Sequence, residues 1–371
     1  MEQRLRAFGA HVGDLIGGKS LTREEANEMF RQVLMDQQPD LQQGAFLAAI
    51  TAKGPTPDEI AGSWEAIYDL DTMKVTPRVD GFMAENSGTG MDSLKTFNIS
   101  TAAAVVAAAD GVVMTKHGAR AITSRCGAVD IAEAVGVDVE CDVSVVRRSI
   151  EVAGIGIFNG MSPKVHPTAL FRILSQVRFG TILHIAGSLA NPARPQLGLR
   201  GVYSKAMVVP TIEAMRAIGF RRATVVHGSN ADGTRGMDEL STLGPTEIAE
   251  LYPDGSITTY TVTPQSLGLA VADERDVVAG HDREAEVLRF LRVLSGVPGP
   301  EQDIVCLNAA PLMVMSGRAS DLAEGIERAR RVIEQGRALD RLRQWARAQN
   351  SDPSMAAERL DGLVGKACSE A

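Results

Sequence analysis

The chain is poor in aromatic residues, which fill 4% of its 371 positions, and poor in cysteine, with four. Few large rings and abundant alanine, glycine and valine favour helices lying close on a sheet. Cys126, Cys141, Cys306 and Cys368 lack the spacing of a metal knuckle or a redox pair. Reduced thiols in a cytoplasmic protein are therefore expected. The longest apolar run, Ala102 to Ala109, is far too short to cross a bilayer. The first residues, Met-Glu-Gln-Arg-Leu-Arg, have no apolar stretch behind them, so no signal peptide is expected. Positive charge is also scarce. The net charge is −8, whereas a nucleic-acid surface needs clustered Lys and Arg. Neither nucleic acid nor membrane is expected as a partner.

What is present is the composition of an ordinary globular protein, 44% hydrophobic and 23% charged. The length suits two domains, or one large α/β domain with an appendage. Residues 1–75 read as helices only. Thr22-Arg-Glu-Glu25 is a capping box before apolar Ala26, Met29, Phe30 and Val33. A helix from Gln42 to Lys53 stops at Gly54-Pro55, and Thr56-Pro-Asp-Glu59 starts a third with Pro57 at its first position. Such a three-helix piece has little core of its own, so it is expected to lean on the rest of the chain or on a partner copy.

From about residue 76 the pattern becomes strand, glycine loop, helix. Strands are expected at 111–115, 155–158, 223–227, 256–262 and 302–307. Helices are expected at 102–109, at 129–135, from about Thr168, and over 319–349 with a break near Gly336. The alternation predicts an α/β fold, with a small all-helical domain (1–75) and a larger α/β domain (76–347) around a mostly parallel sheet. Residues 348–371 read as a polar, frayed tail.

The stretch Asn86 to Thr101 carries the clearest chemistry. Glycines at 88 and 90 and an acid at Asp92 lead to Asn98, Ser100 and Thr101, directly before the Ala-rich helix. Such a turn aims backbone N–H groups and a helix N-terminus at one place, which suits a phosphate. It has neither the Gly-Lys-Ser/Thr ending of a Walker loop nor the third glycine of a dinucleotide fingerprint. Asp238 and Glu239 are adjacent acids. By themselves they read as a solvated pair at a helix start; beside a phosphate they would suit Mg²⁺. Lys116, His117 and Arg120 follow a buried strand, either as a basic turn or as an anion clamp. His166 and His227 sit just past strands, where a lone histidine is usually structural. Ser124 and Cys126 have no base beside them, so no activated nucleophile is expected. The inventory fits electrostatic positioning of a phosphorylated substrate with a divalent metal.

Together these motifs resemble those of the anthranilate phosphoribosyltransferase family: Gly88-Thr-Gly-Met-Asp92, Thr96-Phe-Asn-Ile-Ser-Thr101, Lys116-His-Gly-Ala-Arg120, Pro163 to Pro167, Gly187-Ser-Leu-Ala-Asn-Pro192 and Gly236-Met-Asp-Glu239. The resemblance runs over roughly residues 10–345. It implies Mg²⁺-dependent transfer of the phosphoribosyl group of phosphoribosyl pyrophosphate (PRPP) to an aromatic amine such as anthranilate, in tryptophan biosynthesis. It implies PRPP on Gly88, Thr89, Gly90, Asp92, Thr96, Asn98, Ser100, Thr101, Lys116 and Ser124, with Lys116 and Asp92 catalytic. Two Mg²⁺ ions would be held by Ser100, Asp238 and Glu239. The acceptor would lie on His117, Ala119, His166 and Arg178. A homodimer joined through the helical domain is implied as well.

The departures fall mostly on the acceptor side. Ala119 stands where the family has an acceptor-contacting asparagine, and Ala128 where it has a serine. The helix after His166 is shorter than the family's spacing, leaving Arg178 and Gln176 as stand-ins for the arginine that grips the acceptor carboxylate. Met91 replaces a glycine beside the pyrophosphate, and the loop Ser229 to Arg235 is longer. A changed aromatic or N-heterocyclic acceptor is the alternative, with a non-catalytic PRPP- or nucleic-acid-binding homologue behind it.

Overall fold

The structure, a computed structural model, describes residues 2–120, 126–177, 179–280 and 282–369. It opens with helices α1 (Glu2–Ile16), α2 (Arg23–Leu34), α3 (Asp40–Lys53) and α4 (Pro57–Leu70). Then come β1 (Met83–Ser87), α5 (Ile99–Ala109), β2 (Val113–Gly118), α6 (Ala128–Ala134), α7 (Val143–Ala153), β3 (Ile155–Asn159), α8 (Leu170–Gln176), α9 (Ile182–Leu189), β4 (Leu197–Gly201) and α10 (Val208–Ala217). Strands β5 (Arg222–Ser229), β6 (Gly236–Met237), β7 (Thr246–Leu251) and β8 (Ile257–Val262) follow. Helices close the chain: α11 (Glu274–Val277), α12 (Arg283–Leu294), α13 (Pro300–Met315), α14 (Leu322–Glu334), α15 (Arg337–Ala348) and α16 (Pro353–Ser369).

Both capping boxes form. Thr22 Oγ1 accepts from Glu25 N at 3.2 Å while Glu25 answers Thr22 N at 2.9 Å, and Thr56 and Glu59 repeat the exchange. The apolar faces so aligned meet at Phe8, Phe30 and Phe46, whose rings pack edge-on at 5.5 and 5.0 Å. The helical core is completed by side chains of α8, α9 and α10 from the middle of the chain, as its small size demands.

The sheet runs β3-β2-β1-β4-β5-β7-β8, with β6 on β5. Strands β1 to β5 pair in parallel, and β6, β7 and β8 antiparallel. The Ala-rich α5 is buried almost throughout, its small side chains letting it lie between the sheet and α13.

Several expectations are corrected. Residues 302–307 are not a strand but part of α13, which begins at Pro300 and is buried on nearly every side; a short apolar run surrounded by protein carries no period to tell the two apart. The expected frayed tail is largely α16, whose Ala356, Ala357, Leu360 and Ala367 are buried. Its Asp361 accepts from Arg343 Nε at 2.8 Å. The N-terminal piece has a fourth helix, α1. The break at Gly336 is real, with a left-handed φ of 73° between α14 and α15. Among the described residues, no helix is long and apolar enough to cross a membrane.

Candidate active site

The site forms where β1, β2, β4 and β6 end, the place where open parallel sheets leave room for ligands. Two glycines decide its shape. A methyl added to Gly88, at the end of β1, would lie 2.2 Å from Asp238 Oδ2. One added to Gly201, at the end of β4, would lie 1.5 Å from the Asp238 carbonyl oxygen. The chain leaving β6 therefore crosses the end of β4 in direct backbone contact, which only glycine admits, and lays the Asp238 carboxylate on Gly88 at the end of β1. This brings Asp238 under the glycine loop, where its Oδ2 accepts from Gly90 N at 2.7 Å and from Thr89 Oγ1 at 3.4 Å.

Three acids converge there. Carboxylate oxygens of Asp92, Asp238 and Glu239 lie within 4.8 Å of one another. Burial, and then the charge of Asp238, push Asp92 up to about 7, against the pull of Lys95 at 2.8 Å. Burial, followed by Asp238 and Asp92, pushes Glu239 well above the usual carboxylate range. Glu239 Oε2 is buried with no hydrogen-bond partner among the described residues. Crowded, part-buried carboxylates with an orphaned oxygen form a donor set suited to a hard divalent cation. The expectation of a solvated pair at a helix start is overturned: Asp238 is buried, and the two acids follow a strand.

Beneath the loop the polar groups form a connected floor. Lys116 Nζ is buried and donates to Asn86 O at 3.0 Å and to Asn86 Oδ1 at 2.9 Å. Asn86 Nδ2 in turn donates to Ser100 O in the first turn of α5, at 2.7 Å. Burial lowers Lys116 to about 7. One layer deeper, Arg200 and Glu85 pair at 2.8 Å, essentially without exposure. Arg200 also reaches Ser87 Oγ and Ser188 Oγ.

The α/β region, residues 81–339, matches the glycosyl transferase family a/b domain, and residues 12–70 match that family's helical bundle domain. The anthranilate phosphoribosyltransferase of Myxococcus xanthus (strain DK1622) is 38% identical over 335 residues, 89% of this chain and 96% of that protein. The chain belongs to the anthranilate phosphoribosyltransferase family. It is thus an enzyme of the phosphoribosyltransferase class. The crystal structure of anthranilate phosphoribosyltransferase from Thermus thermophilus superposes with a TM-score of 0.81 at 31% identity, covering 91% of this chain and 98% of that one. The Saccharomyces cerevisiae enzyme in complex with PRPP and Mg shares the fold, with a TM-score of 0.76 at 22% identity, covering 97% of this chain and 98% of that one.

On this family's frame, Gly88, Thr89, Gly90 and Asp92 gather with Asp238 and Glu239. Ser100 and Thr101 open α5, with Thr101 Oγ1 buried and unpartnered among the described residues. Asn98, at the N-cap position of α5, spends its amide on Cys126 O at 2.9 Å. Thr96 bridges to Val278. Ser124 and Arg178 lie outside the described residues. Of the two readings of Lys116, His117 and Arg120, the anion clamp finds no open cation at Arg120, while Lys116 and His117 are buried on Asn86 and His166. Arg120 is held by Glu133 at 2.9 Å, Glu140 at 3.1 Å and Asp130 at 3.4 Å.

His117 is buried against His166, their Nε2 atoms 3.1 Å apart. The outer nitrogens both face carbonyls, Ser188 O at 3.1 Å and Asp71 O at 2.5 Å. Completing all three contacts takes three protons on two rings. Burial, the neighbouring His166 and the Arg200 charge push His117 down to about 3, and burial lowers His166. At neutral pH the pair is therefore one proton short.

Sequence reasoning missed Lys95, Asn191 and the Glu85–Arg200 pair. Lys95 was visible as a cation three residues after Asp92. Asn191, whose amide donates to Glu85 Oε2 at 3.0 Å and Thr115 O at 2.6 Å, lay inside a quoted motif. Nothing local marked Glu85 or Arg200.

Proposed function

We propose that this chain moves the phosphoribosyl group of PRPP to the nitrogen of an aromatic amine, releasing pyrophosphate. The observation that carries the reading is the glycine loop lying directly on a buried acid cluster, with Gly90 N 2.7 Å from Asp238 Oδ2. One face offers backbone donors and a helix N-terminus to a diphosphate, and the other offers carboxylates to its counter-ions. Asp238 and Glu239, with Ser100 across the loop, would hold Mg²⁺, two ions in the full complex; bound Mg²⁺ neutralises the charge that develops on departing pyrophosphate.

The protein's part is positioning. The loop and the α5 N-terminus orient the diphosphate, and their fixed dipoles face the negative charge that grows as the C1–oxygen bond breaks. Lys116 acts as a positioning residue: its ammonium holds the Asn86 end of β1, and through Asn86 the first turn of α5. His117, Ala119 and His166 border the acceptor side, with Arg178 completing it. The helical domain joins two copies in a homodimer.

The test is PRPP- and Mg²⁺-dependent loss of anthranilate fluorescence. A changed acceptor is the second reading, and one observation among the described residues bears on it. Arg172, the described arginine on the helix after His166, is tied to Val33 O at 2.8 Å, Gln43 Oε1 at 3.3 Å and Asp36 at 3.3 Å. It is not available to grip a carboxylate. No turnover of anthranilate, with turnover of another aromatic amine or N-heterocycle, would establish that second reading.

A further inference from the structure

The glycine loop carries one long apolar side chain, Met91, and its course is unusual. A methyl added to Gly180 would lie 2.2 Å from Met91 Cε, 2.8 Å from Sδ and 2.9 Å from Cγ. Successive atoms of the methionine thus rest on a single residue that has no side chain. Gly180 lies in the short connection between α8 and α9, and both helices contribute to the helical core. That connection is anchored after the glycine, where Thr181 caps α9 and Ile182 N donates to Thr51 Oγ1 of α3 at 3.3 Å. Before α8, Asp71 holds the amides of Thr168, Ala169 and Leu170 at 2.5 to 3.0 Å. Between these anchors Phe179 is 51% exposed. The glycine loop is thereby clasped at two points: Gly90 on Asp238, and Met91 on Gly180.

We propose that Met91 determines acceptor specificity: seated on Gly180, it forms the wall between the phosphate loop and the α8–α9 connection and sets the width of the slot for a flat, apolar ring. This rests on the transferase reading, which places the acceptor on the His166-to-Thr181 side. A thioether suits the task. It is unbranched, polarizable and makes favourable contacts with ring edges. The bulk at position 91 is thus directed at the acceptor segment and not at the pyrophosphate.

Three variants test it: Met91→Gly, Met91→Leu and Gly180→Ala, the last displacing the methionine from its seat without touching the loop. Met91→Gly should raise the KM for the acceptor about fivefold or more while leaving the KM for PRPP within about twofold. Met91→Leu should restore the acceptor KM. Gly180→Ala should reproduce Met91→Gly, and the double variant should be no worse than either single change, because both remove the same contact. Equal shifts in both KM values, or no shift in either, would overturn the proposal. Calorimetry of the wild-type chain with PRPP and Mg²⁺ separates the two readings. A chain that binds no PRPP loses the transferase reading and this proposal with it. A chain that binds and turns over PRPP, with Met91 variants unaltered, loses only the role of Met91.

Discussion

Gly90 N donates to Asp238 Oδ2 at 2.7 Å, so a carboxylate of the acid cluster occupies a donor that an anion would use. Asp238 serves as a stand-in for the diphosphate on the glycine loop. Removing it should have opposite effects with and without metal. In metal-free buffer, Asp238→Ala should bind inorganic pyrophosphate about tenfold more tightly than the wild type, since a charge-assisted competitor is gone. With Mg²⁺ the same variant should bind PRPP more weakly. Glu239→Gln, which leaves the Gly90 contact in place, is the control in both calorimetric titrations.

Gly201 tests the backbone crossing. With a methyl at that position lying 1.5 Å from Asp238 O, Gly201→Ala cannot keep the acid cluster where it is. Mg²⁺-dependent PRPP affinity should fall by about tenfold or more. A Gly201→Ala chain of unchanged affinity would mean the crossing is unimportant.

The Arg200–Glu85 pair should matter for stability. Arg200→Met leaves buried Glu85 without its counter-ion and half-partnered, and breaking a buried pair in this way costs about 3–5 kcal/mol. Urea unfolding should show a lowered midpoint at unchanged slope. Replacing both residues with apolar ones should recover part of the loss.

The histidine pair sets the acid limit. The folded chain keeps His117 unprotonated down to about 3, whereas an unfolded histidine binds a proton near 6.5. Between those values the unfolded state holds more protons, so stability falls as pH drops below about 6.5. At pH 5, His117 alone accounts for a loss of about 2 kcal/mol relative to pH 7. Thermal melts of the wild type and His117→Gln between pH 7.5 and 5 should converge as pH falls. A gap that widens as pH falls would show that the pair already carries its third proton.

Local rules sufficed for part of this protein. Helix starts at Thr22 and Thr56 were legible because a capping box is made by residues three apart, whatever surrounds them. The loop Gly88 to Asp92 and the first turn of α5 were legible for the same reason: backbone direction there follows from glycine and from helix onset. What local rules could not supply is which charges meet. Lys116, His117 and Arg120 read as one group, a basic turn or an anion clamp, yet each is taken up by partners from a different part of the chain, Asn86, His166 and Glu133. Residues 302–307 are apolar enough for a buried strand, and because α13 is buried on nearly every side they carry no period that marks them as helix. The acid cluster is the sharpest case. Asp92 lies far from Asp238 and Glu239 in sequence, and it meets them because Gly201 lets the backbone cross the end of β4 and Gly88 leaves room for the Asp238 carboxylate. Sequence by itself determined which local structures form and which ligand chemistry they can offer. Tertiary structure decided which of those groups share one volume, because burial and charge pairing act between residues that the chain keeps apart.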